Sequence, residues 1–145
     1  MNLPIFAERL SDLMFDKNIK STELAKNLNC ERSTINRYLN AHKTPTVEML
    51  IKLANYFECS TDFLLGIEPE NYAENYLSPI PFSQRLPSLL NQLKITRYQL
   101  QQVTGIAEST LYYWAKGFTT PTIDKIISIA KAFNISVDFV LGRIN

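Results

Sequence analysis

Apolar side chains recur at helical spacing along nearly the whole chain. Phe6, Leu10, Leu13 and Met14 stand at positions i, i+4, i+7 and i+8, which places them on one face of a helix. A later segment repeats this stripe with Phe82, Leu86, Leu89 and Leu90. No segment shows the period-two alternation of apolar and polar residues that is typical of strands. The pattern therefore predicts an all-α fold.

The chain contains the same pattern twice. Shifted by 76 residues, Phe6–Gly66 aligns with Phe82–Gly142 without a gap. A repeat of this kind is typical of one small fold used twice. The predicted organisation is a first domain over residues 1–66, a second over 82–145, and a linker over 67–81. Within the linker, Pro69 can open a short helix, and Tyr72 and Tyr76 are expected to pack on one of the domains, with a dimer contact as the alternative.

Each repeat is predicted to hold five helices. Asn29 and Gly105 stand at the same position between the second and third helices, and both tolerate a left-handed backbone, so a sharp turn is expected there. Thr96 is placed to cap the second helix of repeat two. The predicted ranges after the first helix are Ser21–Leu28, Arg32–Asn40, a helix after Thr44-Pro45-Thr46, and Ser60–Leu65, with Arg97–Thr104, Glu108–Lys116, a helix after Thr120-Pro121-Thr122, and Ser136–Leu141 in repeat two.

The third helix of the first repeat has two unlike faces. Ile35, Tyr38 and Leu39 point inward, and Trp114 is aligned with Tyr38, so we expect it in the core as well. The opposite face carries guanidinium, amide and hydroxyl groups, which are the groups that read base edges in DNA. Its members are Arg32, Ser33, Asn36, Arg37 and Asn40, and the basic residues on the flanking segments are Lys20, Lys26, His42 and Lys43.

These residues resemble the lambdoid phage repressor and Cro family, also called the Xre-type helix-turn-helix family. The resemblance is carried by Thr22-Glu23-Leu24-Ala25, Ser33-Thr34-Ile35-Asn36-Arg37-Tyr38-Leu39-Asn40, Thr44-Pro45-Thr46 and Ser60-Thr61-Asp62-Phe63-Leu64-Leu65-Gly66, and by their counterparts in repeat two. It implies two tandem five-helix domains of the lambda-repressor type, whose third helix enters the major groove of double-stranded DNA. Such a protein is expected to be a transcriptional regulator, and specifically a repressor.

The resemblance also assigns roles to individual residues. In repeat one, the base-reading positions are Arg32, Ser33, Asn36 and Arg37, and the phosphate contacts are Ser21, Asn40 and Lys43. In repeat two, the corresponding readers are Ser109, Tyr112 and Tyr113, with Arg97 and Lys116 at phosphates.

Repeat two departs from the family pattern. Glu108 stands where repeat one has Arg32, and a carboxylate repels phosphate, although it can accept a hydrogen bond from cytosine. Tyr112 and Tyr113 can contact thymine methyl groups, or they can bury against another protein. The alternative function is therefore a protein-interaction module or an antitoxin-like autoregulator, in which repeat two binds a protein partner or mediates dimerisation.

Composition and charge exclude several other classes. The net charge is +1, but residues 82–145 hold seven Lys or Arg against three acidic residues. We find no catalytic constellation, metal-ligand cluster, phosphate loop, cofactor site or small-molecule effector site, so an enzyme is not expected. With no secretory signal and no apolar run long enough to span a membrane, the chain is expected in the cytoplasm. Cys30 and Cys59 align with Ile106 and Ile135, which predicts two buried, free thiols.

The tandem arrangement suggests how DNA would be bound. A single chain can place two unlike reading helices on one asymmetric site, because 15 linker residues span at most about 50 Å. The competing arrangement is a homodimer joined through Tyr112 and Tyr113, in which repeat one alone reads a palindrome. The sequence slightly favours the first arrangement and leaves the second open.

Overall fold

A computed structural model describes residues 1–71 and 75–145. The chain divides into two compact units, Met1–Glu74 and Asn75–Asn145, which are called domain 1 and domain 2 below. Residues 67–74 of the proposed linker fall in domain 1, and residues 75–81 fall in domain 2. The described residues form helices and no strand, as predicted. None of these helices is both long enough and apolar enough to cross a membrane.

The helices follow the predicted repeat closely. Each domain contributes five, numbered here in chain order. They are α1 (Leu3–Asp16), α2 (Ser21–Asn27), α3 (Arg32–Leu39), α4 (Val47–Tyr56) and α5 (Thr61–Leu64) in domain 1, and α6 (Phe82–Leu93), α7 (Arg97–Thr104), α8 (Glu108–Lys116), α9 (Ile123–Phe133) and α10 (Val137–Leu141) in domain 2.

Side-chain caps fix where several of these helices begin. The hydroxyls of Thr46 and Thr122 accept hydrogen bonds from the third backbone N–H of α4 and α9. Ser60 and Ser136 do the same for α5 and α10. Thr96 caps α7, as predicted, and forms a reciprocal capping box with Gln99. Pro45 and Pro121 directly precede these capping residues and lie outside the helices.

Each domain has its own apolar core. Phe6 packs edge to face on Tyr38 in domain 1, and Phe82 packs in the same way on Trp114 in domain 2, which confirms Trp114 as a core residue. The core of domain 1 also holds Leu10, Leu24, Ile35, Leu50, Leu53, Ala54, Cys59 and Leu64; that of domain 2 holds Leu86, Leu89, Leu100, Ile106, Leu111, Ile126, Ile129, Val137 and Val140.

An arginine in the first helix of each domain ties that helix to the last one. In domain 1, Arg9 donates to the carbonyl oxygens of Phe63 and Glu68. In domain 2, the buried Arg85 donates from Nε to the Val140 carbonyl oxygen, at 3.2 Å, and from a terminal nitrogen to that of Phe139, at 2.5 Å. Carbonyl groups at the end of a helix lack partners within it, and these guanidinium groups supply them. The burial of Arg85 lowers the pKa of its guanidinium.

The structure differs from the sequence predictions at several residues. Cys59 is fully buried, but Cys30 is only half-buried, so the prediction of two buried thiols is wrong for Cys30. Leu39, which was expected to point inward, is half-buried, unlike the fully buried Ile35 and Tyr38. Tyr72 lies outside the described residues, whereas Tyr76 packs in domain 2, with the Arg143 guanidinium 4.1 Å from the centre of its ring. The described residues 67–71 and 75–81 are not helical.

Candidate nucleic-acid interface

The turn between α2 and α3 has the geometry that was predicted from its residues. Asn29 adopts a positive φ of 55°, and Gly105 adopts 73° at the same position in domain 2. In domain 1 the chain then reverses, and the backbone N–H of Cys30 donates to the carbonyl oxygen of Ala25 at 2.9 Å. Helix α3 starts at Arg32, and its buried Ile35 and Tyr38 hold it on the core. Its opposite face is thereby turned outward.

The predicted reading face of α3 is accessible. Arg32, Ser33, Arg37 and Asn40 are exposed, and Asn36 is half-buried. The Ser33 hydroxyl lies 3.4 Å from a carboxylate oxygen of Glu31, the residue that immediately precedes the helix. Both arginines thus present their guanidinium groups on the surface, where they can reach a ligand.

A groove of about 490 Å³ opens beside this face. It brings together two predicted base-reading residues, Arg32 and Asn36, and one predicted phosphate contact, Ser21. The end of α1, the start of α2 and one side of α3 form its walls, which are lined by Ser11, Met14, Phe15, Ile19, Lys20, Ser21, Thr22, Arg32, Asn36 and Leu39. Ser33, Arg37, Asn40 and Lys43 do not line this groove.

The remaining predicted phosphate contacts of domain 1 follow α3. Asn40 is the residue that ends the helix, and Lys43 lies in the loop between α3 and α4. Both are exposed. Ser21, the first residue of α2, is half-buried and precedes α3 in the chain. The predicted phosphate contacts therefore occupy segments on either side of the predicted base contacts.

Sequence reasoning missed one residue of this surface. Phe15 is 85% exposed and lines the groove together with Arg32 and Asn36. The signal was present, because Phe15 directly follows Met14, the last residue of the apolar stripe of α1, and so falls outside that stripe. An aromatic ring that is left in solvent beside a polar reading face adds apolar contact area to it.

The corresponding face in domain 2 is aromatic. Glu108, Ser109, Tyr112, Tyr113 and Lys116 are all exposed on α8. The rings of Tyr112 and Tyr113 are 5.9 Å apart between centroids, and the ammonium nitrogen of Lys116 lies 5.7 Å from the centre of the Tyr112 ring.

One further ring extends this face beyond the end of α8. Phe118, which is 70% exposed, lies 6.2 Å from Tyr113 between ring centroids. The aromatic cluster, defined as Tyr112, Tyr113 and Phe118, is thus continuous and open to solvent. Arg97, the remaining predicted phosphate contact, is exposed at the start of α7.

The two faces therefore differ in chemistry. The face of domain 1 offers two guanidinium groups and two amides, which suit the hydrogen-bonding edges of bases and the charge of phosphates. The face of domain 2 offers rings and one charge of each sign. Within the residues that the structure describes, His, Cys, Asp and Glu side chains form no group of three that could hold a metal ion.

Comparison with known proteins bears on both domains. The chain matches the HTH_3 helix-turn-helix family over residues 16–64 and again over residues 88–140. Each match contains the two helices and the turn described above. Together the two matches cover more than half of the chain.

Two individual proteins are similar to the chain. An uncharacterized HTH-type transcriptional regulator of Bacillus subtilis, YobD, is 34% identical over 61 residues, which are 42% of this chain and 54% of that protein. The chain thus spans about half the length of this relative. The crystal structure of a transcriptional regulator from Listeria innocua aligns with 80% of this chain and 96% of its own, at 24% identity and a TM-score of 0.42.

Proposed function

The chain belongs to the HTH_3 family of Xre-type helix-turn-helix proteins, and from this we propose that it is a sequence-specific DNA-binding transcriptional repressor that reads the major groove with α3 of domain 1. Its place of action is the cytoplasm, where chromosomal DNA is accessible. The observation that carries the proposal is the shared groove of Arg32, Asn36 and Ser21. One concave surface holds both kinds of group that a protein needs for DNA, those that select bases and those that hold the backbone.

The chemistry of the face favours direct base readout. An arginine can donate two parallel hydrogen bonds to guanine, and an asparagine can pair in the same bidentate way with adenine. Arg32, Arg37 and Asn36 stand on exposed or half-exposed positions of a helix whose other side is fixed in the core. Ser33 can bind either kind of base, because a hydroxyl both donates and accepts.

Phosphate contacts fix the register of such a helix in the groove. Lys43 and Asn40 follow α3, and Ser21 begins α2, so they can bind the backbone on the two sides of the bases that α3 reads. A protein held on a promoter in this way represses by occupying the DNA. Repression requires no contact beyond those with DNA, whereas activation also requires a contact with the transcription machinery.

A second function is favoured for domain 2. Its aromatic cluster and Glu108 make α8 a poorer match to DNA than α3, and exposed tyrosines are typical of protein interfaces. We therefore propose that domain 2 makes a protein contact, as in a homodimer or an antitoxin-like autoregulator. If α8 instead reads DNA, Ser109, Tyr112 and Tyr113 would face bases, and Arg97 and Lys116 would face phosphates.

Selection of bound sequences from a random pool of duplex DNA tests the proposal. The wild-type chain is expected to enrich one motif, and the variant Arg32→Ala/Arg37→Ala is expected to enrich none. The matched control is Lys125→Ala/Lys131→Ala, which removes the same number of charges from α9. If the wild-type chain enriches no motif at low salt, base reading by α3 is excluded and a protein-interaction function takes its place.

A further inference from the structure

We propose that helix α8 is a self-association surface, which pairs antiparallel with α8 of a second copy of this chain. The proposal names the partner of the aromatic cluster and does not depend on DNA binding by domain 1. Three observations support it: the extent of exposed aromatic surface, the order of charges along α8, and the contrast with α3 of domain 1.

The exposed aromatic surface is large for so small a domain. Tyr112 is 45% exposed, Tyr113 47% and Phe118 70%. Tyr98 is 67% exposed, and we expect it to lie beside this surface, because Tyr98 and Tyr112 correspond in the repeat to Thr22 and Asn36, which line one groove in domain 1. Since a large aromatic side chain offers about 150–250 Å², these four rings leave on the order of 400 Å² in water. The largest exposed apolar patch of a monomeric protein is typically about 300–600 Å² and is often functional.

The charges along α8 are complementary to a second, reversed copy of themselves. Glu108, Tyr112 and Lys116 follow one another at intervals of four residues, and so form one ridge on the exposed side of the helix. Glu108 and Lys116 are eight residues apart, which is about 12 Å along the axis. In an antiparallel pair with Tyr112 at the twofold axis, each Glu108 faces Lys116 of the other copy. Two ion pairs then flank a pair of stacked tyrosines.

Such a contact is isologous, which is the commonest form of interface between identical chains. It also has the anatomy of a protein interface, with rings at the centre and charges at the rim. The ion pairs at the rim contribute little affinity, but they set the register and the antiparallel direction. The rings supply most of the affinity, because they leave water on pairing.

Domain 1 provides an internal contrast. The equivalents of Glu108, Tyr112 and Lys116 on α3 are Arg32, Asn36 and Asn40. Two copies of α3 in the same arrangement would gain no ion pair, because the ridge carries no acidic residue. The substitution of Arg by Glu at the start of the helix, and of Asn by Lys at its end, makes only the second repeat self-complementary.

Analytical ultracentrifugation of the full chain without DNA tests the proposal. The wild type is expected to form a concentration-dependent dimer below about 100 µM, the range expected for a contact of modest area. Tyr112→Ala is expected to raise the dimer dissociation constant at least about tenfold, since a central tyrosine is a typical hot spot. Glu108→Lys and Lys116→Glu should each weaken the dimer. Each change places like charges at positions 108 and 116 opposite one another, at both ends of the helix pair. The double variant Glu108→Lys/Lys116→Glu should restore it.

Lys125→Glu serves as the control, because it changes the same charge on α9 of the same domain and should leave the dimer intact. A wild type that stays monomeric up to about 100 µM overturns the proposal. So does a dimer that survives Tyr112→Ala, since another surface would then form it. Failure of the charge exchange to restore the dimer rules out the antiparallel register. Because mass is the readout, none of these results depends on whether domain 1 binds DNA.

Discussion

The ring of Phe6 meets the ring of Tyr38 edge to face, with the centroids 5.8 Å apart and the planes at 76°. Phe82 and Trp114 repeat this contact in domain 2 at 5.7 Å and 83°. The contact joins the first helix of each domain to the helix that carries the candidate interface. The same pair therefore holds the core together and fixes the orientation of α3 or α8.

Removal of the phenylalanine should unfold only the domain that contains it. Phe82→Ala is expected to cost somewhat less than the about 3–5 kcal/mol of a fully buried phenylalanine, because Phe82 is half-buried where it packs on Trp114. A domain of this size has a total stability of about 3–9 kcal/mol, so the loss is a substantial part of it. Trp114 is the only tryptophan, and its fluorescence during urea unfolding reports on domain 2. Phe82→Ala should strongly lower the urea concentration at the midpoint of this fluorescence transition. Phe6→Ala, the matched control, should leave that midpoint nearly unchanged. Equal shifts would show that the two domains unfold as one unit.

Arg143 is predicted to be essential for the stability of domain 2. Its guanidinium, which has no exposed surface, lies 2.6 Å from the Asp138 carboxylate and covers the ring of Tyr76. Domain 1 has Ile67 at the same position, and Ile67 is 41% exposed. Arg143→Ile should cost about 3–5 kcal/mol, because the buried carboxylate loses its partner. Asp138→Asn should recover part of this loss in the double variant. A loss of less than about 1 kcal/mol in the free energy of unfolding, measured by Trp114 fluorescence in urea, would contradict the prediction.

Ala41 occupies a backbone conformation that favours glycine. Its φ is 57°, and Gly117 stands at the same position of domain 2 with a φ of 75°. Ala41→Gly should stabilise domain 1 by about 0.5–1 kcal/mol, since relief of strain exceeds the added flexibility of the unfolded chain.

The reciprocal change, Gly117→Ala, is the control for this prediction. It should destabilise domain 2 by a similar amount, because alanine is strained at a φ of 75°. Steric overlap adds nothing to this cost, since the added methyl group would contact only Ser83, at an ordinary 3.7 Å. Urea unfolding followed by helical ellipticity and by Trp114 fluorescence measures both changes. Opposite signs are expected, and a stabilising Gly117→Ala would contradict the explanation.

The two cysteines should differ in reactivity. Cys59 is fully buried and should react with a thiol reagent only through unfolding. Cys30 is half-buried; burial raises its pKa, and the nearby charges of Lys52 and Lys43 oppose that effect. Since the thiolate is the reactive form, Cys30 should react more slowly near pH 8 than a cysteine in denaturant. Its rate should still be rising at a pH where the rate of the denatured chain has levelled off.

Single-cysteine chains separate the two sites. Cys30→Ile and Cys59→Ile each introduce the residue of the other repeat; the larger side chain should cost about 1–3 kcal/mol at the fully buried Cys59 and less at the half-buried Cys30. Labelling rates from pH 7 to 10 in native buffer and in urea provide the comparison. If Cys59 in the native protein reacts at its denatured rate, it is not buried in solution.

The sequence predicted the helices and turns of this fold because both rest on local rules. Apolar spacing locates the helices, and Asn29 and Gly105 mark the turn before the third helix. The repeat added information, since it identified Trp114 as the counterpart of Tyr38. It could also have revealed the arginine ties, because an arginine stands at the same position in both copies, immediately before Leu10 and before Leu86 of the apolar stripes.

The degree of exposure of individual side chains was harder to predict. Leu39 and Cys30 each align with an apolar residue of the other repeat, which predicts that they are buried. Each is only half-buried. Their exposure depends on how closely neighbouring helices approach, which is a property of tertiary packing and not of local sequence. The ligands of α3 and α8 also stay predictions. The spacing of residues along a helix locates its exposed face, but it does not identify the molecule that binds there.

Arg37 should determine one base position of the DNA site. It is exposed on α3, and a guanidinium can donate two hydrogen bonds to guanine. Arg37→Ala is therefore expected to weaken binding to the preferred site by about 1–3 kcal/mol and to relax selection at a single position. Lys43→Ala is the matched control, because it removes one exposed positive charge from the loop that follows the same helix. It should weaken all duplexes alike and make the slope of log K against log salt shallower by about one.

The two variants can be compared by selection from a random DNA pool together with binding isotherms at several salt concentrations. Arg37→Ala should reduce base preference, whereas Lys43→Ala should reduce only the salt dependence of binding. These two results together would separate base reading from phosphate binding. If Arg37→Ala leaves the selected motif unchanged and lowers affinity for every duplex equally, Arg37 contacts phosphate and not a base. Base reading by α3 would then rest on Arg32 and Asn36, the two residues that share the groove with Ser21.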